Sequence, residues 1–93
     1  MKLETVEVYS HASNNAVLKL NGRKFPGSLI QGDSLSILVS EITEARAAIE
    51  TGDSEEAKEI LGYVLERLTE RLNIYAAALK AHNLELPYKE NKA

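Results

Sequence analysis

The chain lacks cysteine and tryptophan altogether, and it carries one phenylalanine, four tyrosines and two prolines in 93 residues. Without cysteine there is no disulfide, no thiolate metal site and no thiol nucleophile. The two histidines, His11 and His82, stand far apart. Neither has a second histidine or a clustered carboxylate at ligand spacing, so no metal centre is expected. The glycines close neither a Gly-Lys-Ser/Thr phosphate loop nor a dinucleotide fingerprint. No catalytic residue, cofactor or metal follows from the pattern, and the expectation is a protein that is not an enzyme.

Long apolar runs are missing too. Nothing approaches the ~18–20 residues that span a bilayer. Acidic Glu4 and Glu7 interrupt the start of the chain, where a signal peptide would need continuous apolar residues. These absences lead us to expect a cytoplasmic protein without membrane contact.

Charge of either sign is modest and unevenly shared. The net charge is −3. Residues 1–32 hold Lys2, Lys19, Arg23 and Lys24 against Glu4 and Glu7, for a net +2. The remainder holds seven basic and twelve acidic side chains, for a net −5. Duplex binding needs several Lys or Arg on one face, and this balance argues against nucleic acid as a partner.

What is present is a change of period. Leu3–Tyr9 alternates in the manner of a half-buried strand, with Val6 and Val8 on the inward side. Ser10–Asn15 is a run of turn formers. Ala16–Leu20 is a second apolar run, and Asn21-Gly22 after it is the signature of a type I′ hairpin turn. Arg23–Phe25 then reads as the returning strand until Pro26-Gly27 bends it, with Ser28–Ile30 a possible continuation. Two to three short strands in a meander are expected over residues 1–32.

From residue 33 the period becomes helical. Asp33 or Ser34 is the expected N-cap. Leu35, Leu38, Ile42, Ala45 and Ile49 then recur at spacings of three and four, the seam of an amphipathic helix. Gly52 suits the left-handed residue after the helix, and Asp53 with Glu56 resembles a capping box for the next one. The second helix carries Leu61, Leu65, Leu68, Leu72, Tyr75, Leu79 and His82 at alternating spacings, with His82 and Asn83 as its last turn and cap. Gly62 lies inside it, either at a close helix approach or simply at the surface. The acidic Asp53, Glu55, Glu56 and Glu59 are explained by the dipole of a helix start rather than by metal binding.

The expected fold class is α+β in one domain: a β-rich segment over 1–32, an antiparallel αα-hairpin over 33–83, and an extended tail over 84–93, frayed from Lys89. The second helix outruns the first by about ten residues, or roughly 15 Å at 1.5 Å per residue. Tyr75, Leu79 and His82 therefore need a cover: the β segment, the tail or a second subunit. Two helices enclose no core, so a homodimer closing a four-helix bundle is expected.

The stretch Asn21–Ser34 is unusual, with three glycines, a proline, two basic residues and Gln31 and Asp33 before a helix start. Asn14-Asn15-Ala16-Val17, Leu20-x-Gly22-Arg23-x-Phe25-Pro26-Gly27 and Gln31-Gly32-Asp33-Ser34-Leu35, with a closing Leu86-Pro87-Tyr88, resemble a family of small uncharacterised bacterial proteins. The resemblance brings no activity with it, but it marks Arg23, Phe25, Gln31 and Asp33 as the candidate interaction surface. Two functions compete. One is a non-enzymatic module that binds itself and another protein. The alternative is a small-molecule or anion-binding domain, an enzyme in its strongest form, built on the Arg23–Asp33 loop and a helix N-terminus.

Overall fold

The computed structural model describes residues 1–11 and 14–90. Three strands precede two helices: β1 Glu7–Ser10, β2 Val17–Lys19, β3 Gly27–Ser28, α1 Gly32–Glu50 and α2 Ser54–Ala81. The α+β class, the meander and the helical hairpin are as expected. The described chain divides into two compact units, one of Met1–Leu29 with α2 from Arg71 onward, the other of Ile30–Glu70.

In the first unit the sheet runs β1-β2-β3. Both pairs are antiparallel, with Val8 opposite Leu18, and Leu18 opposite Gly27. The register slips between Val8 and Ser10, so Tyr9 is an extra residue in β1. A bulge of this kind redirects a side chain. It corrects the inward set read from the alternation. Val8 is 43% exposed, whereas Tyr9 packs on a core of Val17, Tyr75, Ala78 and Leu79 together with Leu86 and Tyr88. The expected strand over Leu3–Tyr9 shortens to Glu7–Ser10.

The turn at Asn21-Gly22 is real but of another type. The Arg23 N–H donates to the Leu20 carbonyl at 3.2 Å, and Gly22 has φ +82°. Asn21 is not among the positive-φ residues, which a type I′ turn would require at both centres. One positive φ at the third residue is the type II pattern. Because type II splays the chains, Arg23–Phe25 does not return along β2. Pairing waits until Gly27–Ser28.

This unit also answers the question of the overhang. Leu79 is fully buried and Tyr75 nearly so, under Val17 of β2 and Tyr9, Leu86 and Tyr88. The β segment and the tail cover the end of α2. Backbone carbonyls bind it as well: Arg71 Nη1 donates to Leu29 O at 2.8 Å and Asn14 O at 3.1 Å, and the Tyr75 hydroxyl to Pro26 O at 2.6 Å. His82 sits at the end of α2 in this unit. Its ring meets Tyr9 edge-on at 4.9 Å, and Nδ1 lies 2.9 Å from Ala78 O. The helix ends as the sequence indicated. Asn83 takes φ +57°, the Asn83 N–H reaches Lys80 O, and the Leu84 N–H reaches Leu79 O, the two bonds of a Schellman motif.

Burial pushes the Tyr75 hydroxyl above the ordinary tyrosine range, with the neighbouring Tyr88 adding to it. A raised folded-state value means stability that is complete below about pH 10, the unfolded value, and lost as pH climbs through the folded one. Tyr75→Phe should cost about 1–3 kcal/mol at neutral pH by leaving the Pro26 carbonyl unpaired. It should also flatten the decline in stability above about pH 10. Urea midpoints measured from pH 7 to 11 check both effects.

The second unit is the hairpin. α1 stops because Thr51 and Gly52 turn the chain: the Gly52 N–H reaches Ile49 O, the Asp53 N–H reaches Ala48 O, and Gly52 takes φ +84°. Asp53 Oδ1 then accepts the Glu56 N–H at 3.1 Å and caps α2. The start of α1 departs from expectation. Its N-cap is Gln31 with no side-chain cap, while Asp33 already lies in the first turn and accepts the Ser34 N–H. Glu41 and Arg67 pair across the helices, and that hydrogen bond raises the Arg67 guanidinium further.

The seam between the helices is narrower than the leucine pattern implied. Ala45, Ala48, Ala57 and Val64 are buried, and Leu38, Glu41 and Ile60 are half-buried. Leu35, Ile42 and Ile49 are 47–59% exposed instead. The side chains buried between the helices are mostly small, and the larger ones lie on one flank. Gly62 takes no part: a Cβ built there meets nothing within 4 Å. Gly62→Ala should therefore stabilise the chain by about 0.8–1 kcal/mol, seen as a rise in thermal midpoint.

Candidate interaction surfaces

The four residues singled out from sequence are shared between the two units. Arg23 and Phe25 belong to the β unit, Gln31 and Asp33 to the hairpin unit. Gln31 and Asp33 are exposed at the start of α1, and the one bond of Asp33 is local. Arg23 and Phe25 do come together. They line a hollow of about 350 Å³ with Leu18, Leu20, Gly27, Ser28 and Leu29. Its cause is visible in the register: Gly27 lies opposite Leu18, and having no side chain it leaves the floor open. Leu18 alternates with the buried Val17, so the hollow lies on the sheet face turned away from the core.

A second hollow of about 450 Å³ is lined by Tyr9, Lys19, Lys24, Pro26, Asn83 and Leu84 among others. Its lysines would attract an anion. Glu85 also lines it, and the end of α2 brings the negative pole of a helix, so the field there is mixed. The Tyr9 hydroxyl is already engaged with the Glu7 carboxylate, which raises it above the ordinary tyrosine range. Among the described residues, no group of three His, Asp or Glu side chains could hold a metal ion.

An unpartnered apolar surface lies on the hairpin, on residues that the leucine spacing assigns to the internal seam. Leu35, Val39, Ile42 and Ile49 stand about 40–120° to one side of Ala45 at 100° per residue. Leu61, Leu65 and Leu68 stand about 40–100° from Val64 in the same sense. In antiparallel helices, reversing the axis reverses both the sense of rotation and the direction of the contact. The two rows therefore fall on one face of the hairpin. All seven side chains are between 41% and 67% exposed. The opposite flank carries Glu44, Glu56, Glu59, Glu66 and Glu70, with Ile37 and Tyr63 among them.

At about 25 cal/mol per Å², and 1.5–3 kcal/mol for burying such a side chain, each presents roughly 60–120 Å² when fully exposed. Seven at half exposure leave about 300 Å² of apolar surface, which falls in the ~300–600 Å² range of the largest patch on an ordinary monomer, a patch that is often functional.

Residues 1–88 match a family of unknown function, DUF6959, a span that takes in residues of both units and the first half of the tail. The chain belongs to that family. Neither a curated protein nor a solved structure matches it significantly. The DUF6959 match therefore fixes membership without an activity, and the surfaces themselves are the ground for a functional reading. Among the described residues of this DUF6959 chain, no helix is long and apolar enough to cross a membrane.

Proposed function

We propose that this chain is a non-enzymatic protein-interaction module that works as a homodimer, with the apolar faces of two hairpins closing into a four-helix bundle. The observation that carries the reading is the row of seven half-exposed aliphatic side chains on one face, opposite an acidic flank. The overhang of α2 no longer argues for a second subunit, because Tyr75 and Leu79 are covered within the chain. The exposed face argues for one independently.

Two such faces contribute about 600 Å² of apolar surface. At the usual apolar share of an interface this corresponds to roughly 1,000 Å² in total, at the lower bound of a specific association. A reversible dimer with a Kd on the order of 1 μM fits that size better than an obligate one. Light scattering and sedimentation equilibrium test it. The expected result is a dimer mass at about 100 μM that falls toward the monomer on dilution below Kd. A monomer at every concentration overturns the reading.

A further inference from the structure

We propose that the outer face of the three-stranded sheet is a second docking site, which takes an acidic segment of another protein: one large apolar side chain enters the hollow over Gly27 and a neighbouring carboxylate pairs with Arg23. This rests on the module being a binding protein, but not on its dimer face, which lies on the other unit.

The hollow is built rather than incidental. Val8, Leu20 and Leu29 are 43–50% exposed, and with Leu18 and Phe25 they make an apolar patch on the solvent side of the sheet. Its volume of about 350 Å³ accommodates a leucine or phenylalanine side chain, but lies at the low end of sites that enclose small molecules.

The partner's mode of binding is also restricted. The carbonyls on either side of β3 are engaged, since Pro26 O accepts from Tyr75 and Leu29 O from Arg71, and β3 itself is only two residues long. So short an edge offers little for an added strand, and a partner anchors through side chains on the face.

Charge selects the partner. Arg23 lines the hollow and, among the described residues, is in no ion pair. Lys24 stands over the Phe25 ring, 5.4 Å from its centroid, and adds a second cation at the same loop. A guanidinium beside an apolar pocket pairs with a carboxylate more strongly than it would in bulk water, because the pocket wall displaces solvent. A basic or purely apolar segment gains only the anchor.

The glycine supplies a clean test. A Cβ at Gly27 meets nothing within 4 Å, and its φ is not in the left-handed region, so Gly27→Val places a branched side chain on the floor of the hollow, where the partner's apolar side chain would sit. Nitrogen-15 NMR would follow full-length protein titrated with an acetylated hexapeptide alternating glutamate and leucine, beside a lysine–leucine counterpart. The acidic peptide should shift the amides of Leu18, Leu20, Phe25 and Leu29 with a Kd on the order of 1 mM, and the basic one at least about tenfold more weakly. Gly27→Val should abolish the shifts, and Arg23→Glu should invert the preference. Equal response to both peptides, no response to about 5 mM, or a response that survives Gly27→Val overturns the proposal. Shifts confined to Leu35–Leu68 would place the peptide on the hairpin face instead, also against it. The mass of the protein, read separately, reports on the dimer.

Discussion

Leu79→Ala should be the most damaging truncation of a single side chain in the molecule, lowering stability by about 3–5 kcal/mol. Leu79 is fully buried, and its neighbours in the core are Val17, Tyr75 and Ala78, with Tyr9, Leu86 and Tyr88 around them. These come from β1, β2, the tail and α2. A cavity there is walled by elements that are fixed to one another by hydrogen bonds to Pro26 and Leu29, so collapse into it is restricted. That places the cost toward the top of the range for leucine truncation. A domain of this size has only about 5–15 kcal/mol in hand, and each kilocalorie moves the thermal midpoint by roughly 4–8 °C. A fall of about 15–30 °C, or no cooperative transition at all, is expected by circular dichroism. Leu65→Ala should cost under about 0.5 kcal/mol when measured on the dilute monomer, since that leucine is two-thirds exposed. If the two substitutions cost the same, the core has been misplaced.

Leu65 and Leu79 lie on one heptad-like row of α2, and their contrast shows what the sequence could and could not tell. The row was legible because spacings of three and four mark one helix face whatever that face meets. Its partner was not legible. Leu79 meets β2 and the tail, while Leu65 meets solvent in the single chain. The seam between the helices falls on Ala45, Ala48 and Ala57, and alanine is a weak signal in any reading by hydrophobicity. The caps around the interhelical turn and at the end of α2 were readable because their geometry is local: Asp53, Gly52 and Asn83 hold the positions their chemistry implies, whereas the cap of α1 falls on Gln31 rather than on Asp33 or Ser34.

The strands were less readable. One extra residue at Tyr9 inverts the inward set, and no residue type announces a bulge. Arg23 and Phe25 meet because a type II turn and an unpaired loop carry them over Gly27, whereas Gln31 and Asp33 belong to a helix start in the other unit. Closeness in sequence joined four residues, and the strand-to-helix joint assigns two of them to each unit.

Leu65→Glu should convert the dimer to a monomer and leave the fold unchanged. In the single chain this position is 67% exposed, so a carboxylate there stays in water and costs little. In a symmetric dimer the same change appears twice on an apolar interface without a partner charge, at several kilocalories per site after relaxation. The dimer Kd should rise at least about 100-fold, from on the order of 1 μM to on the order of 100 μM, so that at about 10 μM, where the unsubstituted protein is mostly dimer, the variant sediments close to the monomer mass. Tyr63→Glu is the matching control. It is 54% exposed on the acidic flank, two residues away on the same helix, and should leave the mass as it was. Each outcome separates two faces of one hairpin. Loss of the dimer with Leu65→Glu alone assigns the interface to the aliphatic face. Loss with Tyr63→Glu alone moves it to the acidic flank, where Ile37 and Tyr63 would be the apolar anchors. Loss with both indicates that helix α2 as a whole, rather than either face, is held by the partner.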